Sequence, residues 1–86
     1  MKELMNRINQ FRDDRDWRKF HNEKDLAISI SLEASELLEL FQWKNSEEVV
    51  ESSLKEIKEE LADVLIYSLM MADNLNLDVE GIIKEK

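Results

Sequence analysis

The sequence predicts an all-α fold, a bundle of four antiparallel helices completed by oligomerisation. Three observations carry this. Proline is absent, glycine occurs once (Gly81), and helix-forming residues dominate, so almost nothing interrupts a helix. Apolar residues recur at spacings of three and four. Finally, 86 residues without a cysteine make one thin core that no disulfide or thiolate metal site can staple. A second copy or a bound metal is the remaining support, so a homodimer or homotetramer is expected.

Residues 1–86 read as a single domain of four helices. The first runs from about Lys2 to Asp13, with Leu4, Met5, Ile8 and Phe11 on one side. Arg15 to Asn22 breaks the period and holds Trp17, Phe20 and His21. Asn22 is a cap for a second helix from about Lys24 to Gln42, with Asp25 placed for a capping-box-like role. Trp43 to Asn45 connect to a long third helix, Glu47 to Asn74, with Ser46 as its cap candidate and Ser52-Ser53 as its weak point. Asp78 is placed to cap a short last helix. Connections this short make neighbouring helices antiparallel.

The net charge of −8 argues against a nucleic-acid polymer as partner, since no basic patch offsets it. No apolar run reaches membrane-spanning length and no export signal is visible, so no membrane partner and a cytoplasmic location are the expectation.

The carboxylates carry the chemistry. On the second helix, Leu26, Ile30, Leu37 and Leu40 share one narrow stripe, and Glu33 falls inside it. Glu36 lies about one-sixth of a turn aside, and Glu39 points away. On the third helix, Leu54, Ile57, Leu61, Leu65, Ser68 and Ala72 read as the core stripe. Val64 to Ala72 is apolar nearly all round. Glu60, Asp63 and Tyr67 share another face at spacings of three and four, continued by Met70 and Met71.

None of Glu33, Glu36, Glu60 and Asp63 has a cation three or four positions away, where helical carboxylates usually find relief. By contrast, Glu51, Lys55 and Glu59 alternate in sign, as a solvated face does. Unpaired carboxylates beside apolar surface are costly unless protonated, paired or metal-bound. Two such pairs on antiparallel helices can converge on a hard, oxygen-liking cation, and magnesium fits, with manganese as the alternative. Two bland readings stay open. In a chain with 20 acidic residues such pairs arise by accident on solvated faces. The Arg12, Arg15, Arg18 and Lys19 cluster can also reach across and pair them.

The stretch Glu33-Ala-Ser-Glu36-Leu-Leu-Glu-Leu-Phe-Gln-Trp43-Lys44, followed by Glu59-Glu60-Leu-Ala-Asp63-Val-Leu-Ile-Tyr67, resembles the all-α NTP pyrophosphohydrolase superfamily. Within it, the similarity is to MazG-like proteins of the dCTP pyrophosphatase branch. Phe11-Arg-Asp-Asp-Arg15-Asp16-Trp17-Arg-Lys-Phe20-His21 extends the resemblance over nearly the whole chain. It implies magnesium-dependent hydrolysis of a nucleoside triphosphate, dCTP-like or noncanonical, to monophosphate and pyrophosphate. It implies that Glu33, Glu36, Glu60 and Asp63 are the metal-binding and catalytic acids. It also implies a base pocket with Trp17, His21, Trp43 and Tyr67, and a phosphate contact at Lys86. Ile8 departs from the pattern, standing where some related enzymes carry a histidine near the nucleotide. The relatives also continue past Lys86 into a basic segment that grips phosphates. From the residues alone, packing of the loop onto the bundle explains Trp17 and Phe20 as well. A dUTP pyrophosphatase or a phosphoribosyl-ATP pyrophosphohydrolase is the neighbouring enzyme reading. The alternative from another class is a non-catalytic helical oligomerisation or interaction module.

Overall fold

In the computed structural model, which describes residues 1–86, the chain folds into α1 (Lys2–Asp14), a single 3-10 turn (Arg18–Phe20), α2 (Glu23–Glu39), α3 (Ser46–Ser52), α4 (Leu54–Asn74) and α5 (Val79–Glu85). Helices α2, α3 and α5 each begin at a side chain that takes up a free N–H group. Asn22 caps α2: its Oδ1 accepts the Asp25 N–H at 2.8 Å, and its Nδ2 donates to the Asp25 carboxylate at 2.9 Å. Asp78 caps α5 by accepting the Gly81 N–H at 3.1 Å.

Three boundaries differ from the sequence expectation. Asn45, not Ser46, caps α3, accepting the Glu48 N–H at 2.9 Å and donating to the Glu48 carboxylate at 3.0 Å. Two good cap residues stand side by side there, and the amide can make both bonds. The long third helix divides into α3 and α4 at its weak point. The Ser52 hydroxyl donates back to the Glu48 carbonyl at 2.8 Å, and Ser53 leaves helical geometry (φ −131°, ψ 29°). The second helix ends at Glu39, because residues 40–44 tighten into turns and Trp43 sits in left-handed backbone (φ 66°).

The long helices α2 and α4 pack antiparallel and form the body of the molecule. Their register is fixed at the far end, where Asn74 donates to the His21 carbonyl at 2.5 Å. Helix α1 lies against α4 there, and Ile8, Leu26, Leu69 and Met70 form the core, with Met5, Tyr67, Met71 and Val79 packed onto it. Val49 of α3 is fully buried. No helix is long and apolar enough to cross a membrane.

The stripe expected on α2 faces inward: Leu26 is buried, and Ile30, Glu33, Leu37 and Leu40 are half-buried. On α4 the inward face is turned about a quarter of a turn from the expected stripe. Ile57, Glu60, Val64, Tyr67 and Met71 are half-buried, whereas Leu54, Leu61 and Leu65 stay 45–54% exposed. Enclosure on several sides begins only at Leu69, where α1 arrives. Only seven of 86 residues are buried, and many large apolar side chains stay exposed.

Candidate functional site

Glu33 and Glu36 stand one turn apart on α2, and the antiparallel register sets Glu60 of α4 opposite them. Each offers a carboxylate oxygen within 4.8 Å of the other two. Glu33 and Glu60 are half-buried, because they occupy the inward stripes, and Glu36 is exposed at the edge. Asp63 lies outside this trio but near enough for its charge to act on both Glu33 and Glu60.

The three acids meet as neighbours without a counter-ion. Glu33 is pushed up to about 7, first by lost hydration, then by its hydrogen bond with Glu36, then by the charges of Glu36, Asp63 and Glu60. Glu60 is also raised, chiefly by lost hydration, then by its hydrogen bond with Glu36 and by the charges of Glu36 and Asp63. One oxygen of Glu33 and one of Glu60 are buried with no hydrogen-bond partner.

The Arg12, Arg15, Arg18 and Lys19 cluster is committed elsewhere. Arg12 reaches Asn74 and Asp73, Arg18 reaches Asp13 and Asp73, and Lys19 pairs with Asp16 at 2.9 Å. Arg15 stacks over Phe11, 3.6 Å from the ring centre. The chain's one other ion pair, Lys84 with Glu80, is on α5. An all-oxygen set with two partnerless buried oxygens and no cation suits a hard divalent cation.

Trp17 and His21 do not share this location. The His21 carbonyl is held by Asn74 at the C-terminal end of α4, and the Trp17 N–H by the Arg12 carbonyl at 2.9 Å. Asn74 lies 14 positions beyond Glu60, roughly 20 Å along the helix. Phe11, Trp17 and His21 form one edge-to-face group, with ring centres 5.3 Å and 6.1 Å apart. His21 is half-buried, and lost hydration and the nearby Arg12 charge hold its pKa below the ordinary value. Tyr67 stays one turn from Asp63, half-buried against the core. Trp43 follows α2 and is 92% exposed. Lys86, the last residue, is exposed on α5's end.

Sequence reasoning placed Arg12 in a loose basic cluster, but it is fully buried. A faint signal existed: Arg12 follows Ile8 by one helical turn and so continues the apolar side of α1.

Comparison with known proteins adds the lineage. The family model described as MazG-like matches residues 28–86, which include all four acids. This chain belongs to the MazG-like family. Two mammalian relatives of this MazG-like chain are dCTP pyrophosphatase 1 from Bos taurus, 36% identical over 75 residues, and from Homo sapiens, 39% identical over 75 residues. Each alignment covers 81% of this chain and 44% of the relative, so the chain spans less than half the length of those proteins. The crystal structure of a pyrophosphatase from Archaeoglobus fulgidus is 45% identical and superposes with a TM-score of 0.95, over 99% of this chain and 82% of that one.

Proposed function

We propose that this MazG-like chain is a nucleoside triphosphate pyrophosphohydrolase that cuts between the α- and β-phosphates of a dCTP-like or noncanonical nucleotide. The observation that carries this is the convergence of Glu33, Glu36 and Glu60, uncountered by any cation, in a chain similar to pyrophosphatases. Glu33, Glu36, Glu60 and Asp63 are the residues to hold magnesium, or manganese in its place. When bound, the ion neutralises the triphosphate and makes an attacking water more acidic. The chain's own part is positioning and charge. The two helices set the acids rigidly, so little reorganisation is needed when phosphate charge arrives. Glu33, pushed up to about 7, holds a proton below that pH and gives it up as a cation arrives.

Trp17, His21, Trp43 and Tyr67 are assigned to the base and Lys86 to the phosphates. An aromatic face contributes roughly 1–3 kcal/mol per stacked base. The roughly 20 Å between the Trp17–His21 segment and Glu60 along α4 favours a homo-oligomer, in which the aromatic group of one copy serves the acids of another. The uncovered Leu54, Leu61 and Leu65 support the same arrangement. Sedimentation tests it: Leu65→Asp should break a homodimer or homotetramer into monomers, and a wild-type chain already monomeric at micromolar concentration removes the idea.

The deciding assay is pyrophosphate release from a panel of nucleoside triphosphates with magnesium present. Release from dCTP-like substrates that vanishes on chelation is the expected result. The exposed apolar faces also suit a helical interaction module without catalysis. Such a module should show no stabilisation by magnesium, with or without dCTP.

A further inference from the structure

Arg12 is the one polar residue that the fold buries completely. Burying a guanidinium is costly unless its donors are met. One terminal nitrogen donates to Asn74 Oδ1 at 2.9 Å. The other reaches Asn9 Oδ1 at 3.5 Å and the Asp73 carboxylate at 3.8 Å. Its Nε has no partner at all. Replacing a buried polar network as a whole by apolar side chains is often neutral or stabilising, so packing alone does not explain the arginine.

What the guanidinium does, and an apolar chain cannot, is orient an amide. By occupying Asn74 Oδ1, it turns Nδ2 toward the His21 carbonyl, which accepts at 2.5 Å. The Arg12 carbonyl accepts the Trp17 N–H at 2.9 Å. Both ends of the segment 17–21 are therefore tied to one residue, by main chain at Trp17 and through Asn74 at His21. The segment needs holding, because it is entered through Asp16 in left-handed backbone (φ 52°). Arg18 braces it from the side, bonding Asp13 at 2.5 Å and Asp73 at 3.3 Å.

We infer that Arg12 is a positioning residue which, through Asn74, sets the orientation of the Trp17–His21 aromatic face toward the nucleobase. This rests on the base-binding role proposed above. It assigns Arg12 and Asn74 a function exerted through the segment 17–21.

The test is steady-state hydrolysis of dCTP by the full chain with magnesium, comparing wild type, Trp17→Ala, Arg12→Met and Asn74→Asp. Arg12→Met leaves Asp73 and Asn74 short of a partner and can unfold the chain, so Asn74→Asp carries the decision. It keeps the acceptor for Arg12, as a stronger ion pair, and replaces the donor to the His21 carbonyl with an oxygen that cannot donate. A KM raised about tenfold, a kcat within about twofold and an unchanged magnesium midpoint are expected for it. Its melting temperature should fall by roughly 5 °C for the one lost hydrogen bond while the fold stays helical, and Asn74→Gln, which keeps both donor and acceptor, should recover part of the KM. A wild-type KM in Asn74→Asp, where Trp17→Ala raises KM, overturns the positioning role and leaves the base-binding reading intact. A wild-type KM in Trp17→Ala overturns both.

Discussion

The two ends of the α2–α4 pair treat their acids in opposite ways. At the C-terminal end of α4, Asp73 is met by Arg18 at 3.3 Å and by Arg12 at 3.8 Å. Three to four turns earlier, Glu60 is met by Glu33 and Glu36 and by no cation. The chain has 12 lysines and arginines, so cations were available. The difference separates two uses of a carboxylate. One paired inside the protein ties elements together. One left among its own kind is unstable alone and is stabilised only by what arrives from outside.

Substitutions at the two ends should therefore fail differently. Glu36→Gln or Asp63→Asn should slow pyrophosphate release by about a thousandfold or more, roughly 4 kcal/mol of barrier, while circular dichroism still reports a helical fold. Near-wild-type turnover in both would mean that the acids are bystanders. Arg12→Ala should act on the fold: a loss of about 3 kcal/mol in chemical denaturation, with no magnesium dependence to the loss. If magnesium restored that stability, the two ends would not be separate in function.

Acidity provides a finer contrast. Glu33, raised to about 7, and Glu60, raised above its ordinary range, bind protons more tightly in the folded chain than in the unfolded one. Their protonation therefore favours the fold. Each contribution is complete below the ordinary carboxylate range, and that of Glu33 is lost as pH rises through about 7. Without divalent metal, the melting temperature should fall between about pH 5 and pH 8. Glu33→Gln should flatten the fall, and magnesium at the upper pH should reverse it. A flat profile in the metal-free wild type would show that the acids are solvated. The smallest effect is expected at Asn22→Ala, which removes the cap facing the paired end. About 1 kcal/mol should be lost, with the magnesium response untouched.

Much of this was legible in the sequence, for identifiable reasons. The helix period places Glu33 among Leu26, Ile30 and Leu37 whatever the neighbours are, and α2 does turn that stripe inward. The same reasoning misaimed α4. Periodicity marks Leu54, Leu61 and Leu65 as the apolar stripe, but it cannot say whether the chain's own helix covers them, and here none does. The burial of Arg12 was hidden because its partner, Asn74, lies 62 positions away in the chain. The separation of Trp17 and His21 from the acids was hidden as well, since it follows from the antiparallel register and from where the turn after α1 docks.

Trp43, 92% exposed and held in left-handed backbone, gives the molecule an optical reporter. An indole so fully hydrated fluoresces toward the red end of its range, and only one other indole, that of Trp17, competes with its signal. A nucleotide or a second copy settling over Trp43 will move the emission to the blue, whereas a cation entering among the acids alone will leave the spectrum where it was. Occupancy and assembly can thus be followed in unlabelled protein.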